Sequence, residues 1–169
     1  MLTHAVPDGI GLRPPRHRVE RRTIALWAVR AVGGAVAAAA PPALVHLLWP
    51  DARPWAGPLL AVVAGLGVLH ALLMPGVRYA VHRWEVTDAS VYAAGGWVVR
   101  EWRVAPVSRI QTVDTTRGPV ERLLGLSTLV VTTASSSGAV RVRGLAPAVA
   151  EEAAERLNTL TQRTPGDAT

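Results

Sequence analysis

Arginine carries whatever binding chemistry this chain has. All 18 of its basic side chains are arginine, set against 12 acids, with no lysine and no cysteine. A guanidinium stays charged throughout the physiological range and forms paired hydrogen bonds to phosphate or carboxylate. Two groups stand out. Arg16, Arg18, Arg21 and Arg22 lie just ahead of a long apolar run, and Arg100, Arg103 and Arg141 fall on segments patterned like strands. An anionic partner suits both groups, and a lipid headgroup is the nearest one to the first. Nucleic acid fits less well, because the basic arm lacks the interleaved aromatics of single-strand binders. For Arg141 and Arg143 a solvated strand face is the competing reading.

Catalytic patterns are missing. Without lysine there is no phosphate-binding loop of the Gly-x-x-x-x-Gly-Lys type, and neither Gly-x-Ser-x-Gly nor His-Glu-x-x-His occurs. Without cysteine there is no disulfide frame and no thiolate metal site. His4, His17 and His82 are isolated in sequence. His46 and His70 lie inside apolar runs, where they serve as a proton site or simply pack between helices. Glu151, Glu152 and Glu155 read as the wet face of a helix. The expectation is a protein with no catalytic residues, no metal and no cofactor.

The elements that position the arginines begin with the stretch from Ala31 to Met74. Ala31–Trp49 and Trp55–Met74 contain no formal charge, and Pro50-Asp51-Ala52-Arg53-Pro54 between them is turn chemistry. Each run is close to the roughly 20 apolar residues that cross a bilayer. Trp49 and Trp55 fall at the outer ends and Trp27 near the inner end, where indoles favour the headgroup level. Arg30 is placed to snorkel back to the inner surface. Residues 1–30 hold six arginines against Asp8 and Glu20, a balance of +4, whereas the turn is neutral. The positive-inside rule then puts both termini in the cytoplasm of a multi-pass protein of the cell membrane. Pro41 and Pro42 should kink the first helix or unwind about one turn of it. Gly65 and Gly67 let the pair pack closely.

After Pro75-Gly76 the pattern becomes short and alternating. Strands are expected at Tyr79–Val86, Ser90–Ala94, Trp97–Val104, Ile110–Thr116, Ser127–Thr133 and Val140–Arg143, with Gly95-Gly96 as a tight turn. A short helix over Pro119–Leu124 is closed by Gly125. A last helix starts at Pro147, with Val149, Ala153, Leu157 and Leu160 as its apolar stripe. The implied fold is a two-helix transmembrane hairpin followed by a mainly β domain, a curved antiparallel sheet or small barrel closed by the C-terminal helix. The expected divisions are a basic cytoplasmic arm over 1–22, the hairpin over 23–74, the sheet domain over 75–163 and a disordered tail over 164–169.

The run from Arg103 to Asp114, followed by Arg117 to Val131, resembles the bacterial pleckstrin-homology-like (PH-like) family of small membrane proteins, the YdbS-like group. The pattern is carried by Pro106, Arg109, Ile110, Gln111, Val113, Gly118, Pro119, Arg122 and Gly125. The resemblance spans about residues 20–163 and implies seven strands and a C-terminal helix, one strand more than the alternation reveals. It brings no catalytic residues. Within the motif, Pro106 is expected to fix a strand entry and Gly118 to supply a turn that other residues avoid. Arg122 is expected to reach Asp114 or Glu121, and Arg109, Gln111 and Arg122 to pin the short helix to the sheet. A ligand role for those three stays open.

Two functions fit these readings. One is a membrane-anchored interaction module, docking a larger membrane protein with related domains or a second copy, in envelope maintenance or stress protection. The other is a sensor of anionic lipid in the cytoplasmic leaflet, with Arg16, Arg18, Arg21, Arg22, Arg100, Arg103 and Arg141 as headgroup contacts.

Overall fold

The apolar runs form two antiparallel helices, α1 (Thr23–Leu48) and α2 (Arg53–Val81), joined by a 3-10 turn at Pro50–Ala52. The computed structural model describes residues 15–134 and 138–163. Most of the basic arm and the tail after Arg163 lie outside them. The helices are 26 and 29 residues long, about 39 and 43 Å at 1.5 Å per residue. A Cβ on Gly67 would come within 2.7 Å of the Ala35 methyl, so the helices approach closely at Gly67, whereas Gly65 faces open space. Beyond Ala31 their outward faces are bare hydrocarbon, from Val32 and Val36 to Leu47 on α1 and from Leu59 to Leu73 on α2.

The helices depart from the sequence expectation at their prolines. α1 runs unbroken through Pro41 and Pro42, with no unwound turn. α2 runs through Pro75 to Val81, so the strand expected from Tyr79 starts only at Arg83. The short run Val77–Val81 suits helix and strand alike by periodicity. Packing decides: Met74 and Pro75 are buried, and the Arg78 guanidinium sits 4.8 Å from the centre of the Trp27 ring on α1.

Among the described residues, seven strands make two antiparallel sheets. β1 (His17–Arg18), β2 (Arg83–Val86), β3 (Ser90–Gly96) and β4 (Arg100–Pro106) pair in that order. β5 (Ile110–Thr116), β6 (Ser127–Thr133) and β7 (Val140–Leu145) form the second sheet. The strand that alternation missed is β1, two residues of the basic arm paired as His17 with Trp84 and Arg18 with Arg83. The helical hairpin is therefore inserted between two neighbouring strands. Between β5 and β6 lies α3 (Pro119–Leu123), and α4 (Pro147–Arg163) ends the described chain.

One core joins sheets and helices. Val91, Ala105, Leu129, Val131, Val142 and Leu145 from the strands meet Leu157 of α4, and Trp27, Ala31 and Met74 of the hairpin belong to the same cluster. On α4 the buried positions are Ala150, Ala153 and Leu157; Val149, expected in the stripe, is on the exposed side. α1 is tied to β7 at its start. The Thr23 hydroxyl donates to the Gly144 carbonyl at 3.1 Å, and the Glu20 amide donates to the same oxygen at 2.8 Å.

Candidate functional site

Where α2 leaves the apolar zone, Arg78 and His82 stand one turn apart on one helical face. The β3–β4 hairpin brings Gly95, Gly96, Glu101 and Arg103 against them, and β7 contributes Arg141 and Arg143 from alternate positions on one side of the strand. These residues enclose a cleft of about 430 Å³ between the end of α2 and the two sheets. Gly95 permits the approach, since a Cβ there would lie 2.7 Å from His82 Nδ1.

The cleft is a concentration of donors with one acid. Glu101 pairs with Arg103 at 3.7 Å, but both side chains are about half exposed, so the pair neutralises little. Arg78, Arg141 and Arg143 take part in no ion pair among the described residues. Among the described residues, Arg78 Nε and His82 Nδ1 are buried without a hydrogen-bond partner. Burial, and then the positive charge of Arg78 and Arg143, lowers the His82 pKa to about 4, so the ring is neutral at pH 7. It rests edge-on against Trp27, ring centres 5.3 Å apart. Cations this close repel one another, and a phosphate or carboxylate entering the cleft relieves that repulsion while accepting their hydrogen bonds.

Of the arginines expected to meet lipid, Arg103 and Arg141 line this cleft. Arg100 opens onto a smaller neighbouring cavity of about 160 Å³ with Arg83 and Trp102. Arg16 lies 4.0 Å from Glu85, Arg18 is in β1, and Arg21 and Arg22 are exposed at the start of α1. Arg78 is absent from the sequence candidates, and Arg143, weighed there with Arg141 between a solvated strand face and a phosphate site, joins it in the cleft. The alternation of Arg141 and Arg143 opposite Val140 and Val142 was a usable signal for Arg143. Nothing in the sequence showed that α2 would carry Arg78 to the same place.

The motif residues build the turn around α3. Pro106 leads into a 3-10 turn over Val107–Arg109, and the Arg109 carbonyl accepts from Ala134. Ile110 and Val113 pack against the core, and Gln111 sits exposed at the register shift between Ile110 and Thr112. Gly118 has φ −71, open to any residue, contrary to expectation. The glycine that needs its freedom is Gly125, at φ +64, which ends α3. Arg109, Gln111 and Arg122 are all exposed. The pin between α3 and the rest is instead Glu121: its carboxylate accepts from the Gly118 amide at 2.8 Å, the Thr128 hydroxyl at 3.0 Å and Arg30 of α1 at 3.5 Å. Asp114 accepts from Thr112, not from Arg122.

No three histidine, aspartate or glutamate side chains among the described residues converge to hold a metal. Two long apolar helices, two antiparallel sheets stacked in strand order and a closing C-terminal helix define the class. The chain belongs to the bacterial PH domain family, whose model matches residues 27–161. It is 30% identical over 116 residues to the UPF0699 transmembrane protein YdbS of Bacillus subtilis (strain 168), a match covering 68% of this chain and 67% of that protein. No solved structure matches the chain significantly.

Proposed function

We propose that the chain is a non-catalytic, membrane-anchored PH-like module that reads anionic lipid headgroups at the cytoplasmic face of the cell membrane. α1 and α2 cross the bilayer twice, and both termini stay on the inner side. The arm arginines and the neutral outer turn support this orientation. The single observation that carries the lipid reading is the cleft of Arg78, Arg103, Arg141 and Arg143 at the end of α2, where the buried Arg78 Nε–H has no partner among the described residues. A rise of 1.5 Å per residue sets Arg78 about 7 Å beyond Leu73, the depth of a headgroup layer.

The test is native mass spectrometry of the full chain in detergent with phosphatidylglycerol or phosphatidylcholine added. The wild-type chain should retain phosphatidylglycerol over phosphatidylcholine, and Arg141→Gln with Arg143→Gln should erase the preference. Equal retention of the two lipids, or a preference that the double substitution leaves intact, overturns the reading.

A second reading is protein docking, to a larger membrane protein with related domains or a second copy, in envelope maintenance or stress protection. It is favoured by an apolar groove of about 220 Å³ on the helix pair, floored by Ala35, Ala39, Ala64 and Gly67. Small residues of this kind let another helix approach closely. Repeated purification without a stoichiometric protein partner, and a monomeric mass in mild detergent, argue against it.

A further inference from the structure

Trp97, Val98 and Val99 form the three-residue loop that closes the β3–β4 hairpin, since Gly96 pairs with Arg100. Gly96 makes the loop possible: its φ is +118, and a Cβ there would collide with the Val99 carbonyl. An apolar loop tip in water is unusual chemistry for a turn, where Gly, Asn, Asp and Pro dominate. Val98 is 77% exposed and Val99 70% exposed. Their surroundings supply a reason. The Trp97 ring meets His70 of α2 edge-on, with centres 5.5 Å apart. His70 is flanked by the bare hydrocarbon of Leu66, Leu69, Leu72 and Leu73.

Depth follows from counting. With Trp55 at the outer interface, a hydrocarbon layer of about 30 Å ends roughly 20 residues along α2, close to Pro75. His70 then lies about one turn inside the inner boundary, and the tip beside it is at the same level. We infer that the β3–β4 tip, Trp97-Val98-Val99, is a third membrane contact that dips into the cytoplasmic leaflet beside α2. The inference rests on the reading that α1 and α2 cross the bilayer. It does not depend on lipid charge, because the tip is apolar. Insertion stays shallow, because the loop backbone has no ladder partners and unpaired peptide groups are excluded from deep hydrocarbon. The Trp97 ring meets His70 at that level, and its two valine neighbours lie among the first acyl carbons. The tip thereby sets the tilt of the sheet domain and holds the arginine cleft at headgroup level.

The chain has no cysteine, so single cysteines can be placed at will. A bimane label is put on Val98→Cys, on Leu59→Cys about one turn inside Trp55 at the outer end of α2, and on Ala89→Cys in the turn at the far end of β3. The full chain is reconstituted into phosphatidylcholine vesicles. Quenching is compared between a phospholipid with a nitroxide high on its acyl chain and aqueous iodide. At Val98 the lipid quencher should act several-fold more strongly than at Ala89, and iodide several-fold more weakly. A Val98 label that behaves like Ala89, with Leu59 quenched from the lipid side, overturns the insertion and leaves the crossing intact. A Leu59 label that escapes the lipid quencher overturns the crossing and the insertion together.

Discussion

The Arg30 guanidinium lies 3.5 Å from the Glu121 carboxylate, a link between α1 and α3 across 91 positions of chain. Glu121 is nearly buried, and Arg30 is about half exposed. The two ends of the bond should therefore not be equivalent. Glu121→Ala strands the Thr128 hydroxyl and the Gly118 amide and should cost about 2 kcal/mol. Arg30→Ala leaves both of those bonds in place and should cost about 1 kcal/mol or less. Thermal unfolding of the two variants in the same detergent gives the comparison. Equal losses would show that Glu121 is held chiefly by Arg30.

Gly144 carries the seam between β7 and α1. Its φ is +82, and a Cβ would run into the Thr23 side chain. Gly144→Ala combines backbone strain with loss of the Thr23 and Glu20 bonds and should cost about 2–4 kcal/mol. The expected signature is faster limited proteolysis between the arm and the sheet domain, with the helical circular dichroism signal preserved. A variant as resistant as wild type would mean that the seam contributes nothing.

His82 gives the chain an acid-side weakness. Burial and the neighbouring Arg78 and Arg143 keep the folded ring neutral down to about pH 4, whereas an unfolded histidine takes its proton near 6.5. Between those values the unfolded state binds more protons. Stability should be complete at pH 7, decline as the pH falls from about 6.5 to 4, and level off below, a loss of about 3 kcal/mol. His82→Phe keeps a ring against Trp27 and removes the titration, so its unfolding midpoint should fall less over that range. Parallel curves for the two proteins would exclude His82 as the source.

Leu157 is fully buried where α4 closes the core. Leu157→Ala should cost about 2–5 kcal/mol through the cavity it leaves, and Leu157→Asp should abolish the fold of the sheets. The near-ultraviolet signal of the buried tryptophans reports this. An unchanged midpoint for either variant would mean that α4 does not pack as described.

Much of the architecture was legible because it rests on composition and period. Two uncharged runs fixed the helix pair, and alternation located β5 and β6 to the residue. β1 was invisible, because two residues carry no periodicity and its pairing partner lies beyond both long helices. The end of α2 was misread because Val77–Val81 suits either conformation, and only the contacts of Met74 and Arg78 with the rest of the fold make it helical. The cleft was half legible for the same reason. Arg103 and Arg141 show in strand alternation, but their meeting with Arg78 is a tertiary fact. Of the two motif glycines, Gly125 closes α3 at positive φ as its place after Leu124 suggests, whereas Gly118, expected to need a special turn, has an ordinary φ.

The central claim is that α1 and α2 cross the membrane twice and hold the sheet domain inside the cell. Single cysteines at Asp51, in the turn between the helices, and at Ala89, in the sheet domain, can be probed on intact cells with a membrane-impermeant maleimide. Asp51→Cys should be labelled at once and Ala89→Cys only after permeabilisation. Labelling of Ala89→Cys on intact cells, or protection of Asp51→Cys from the reagent, would contradict it.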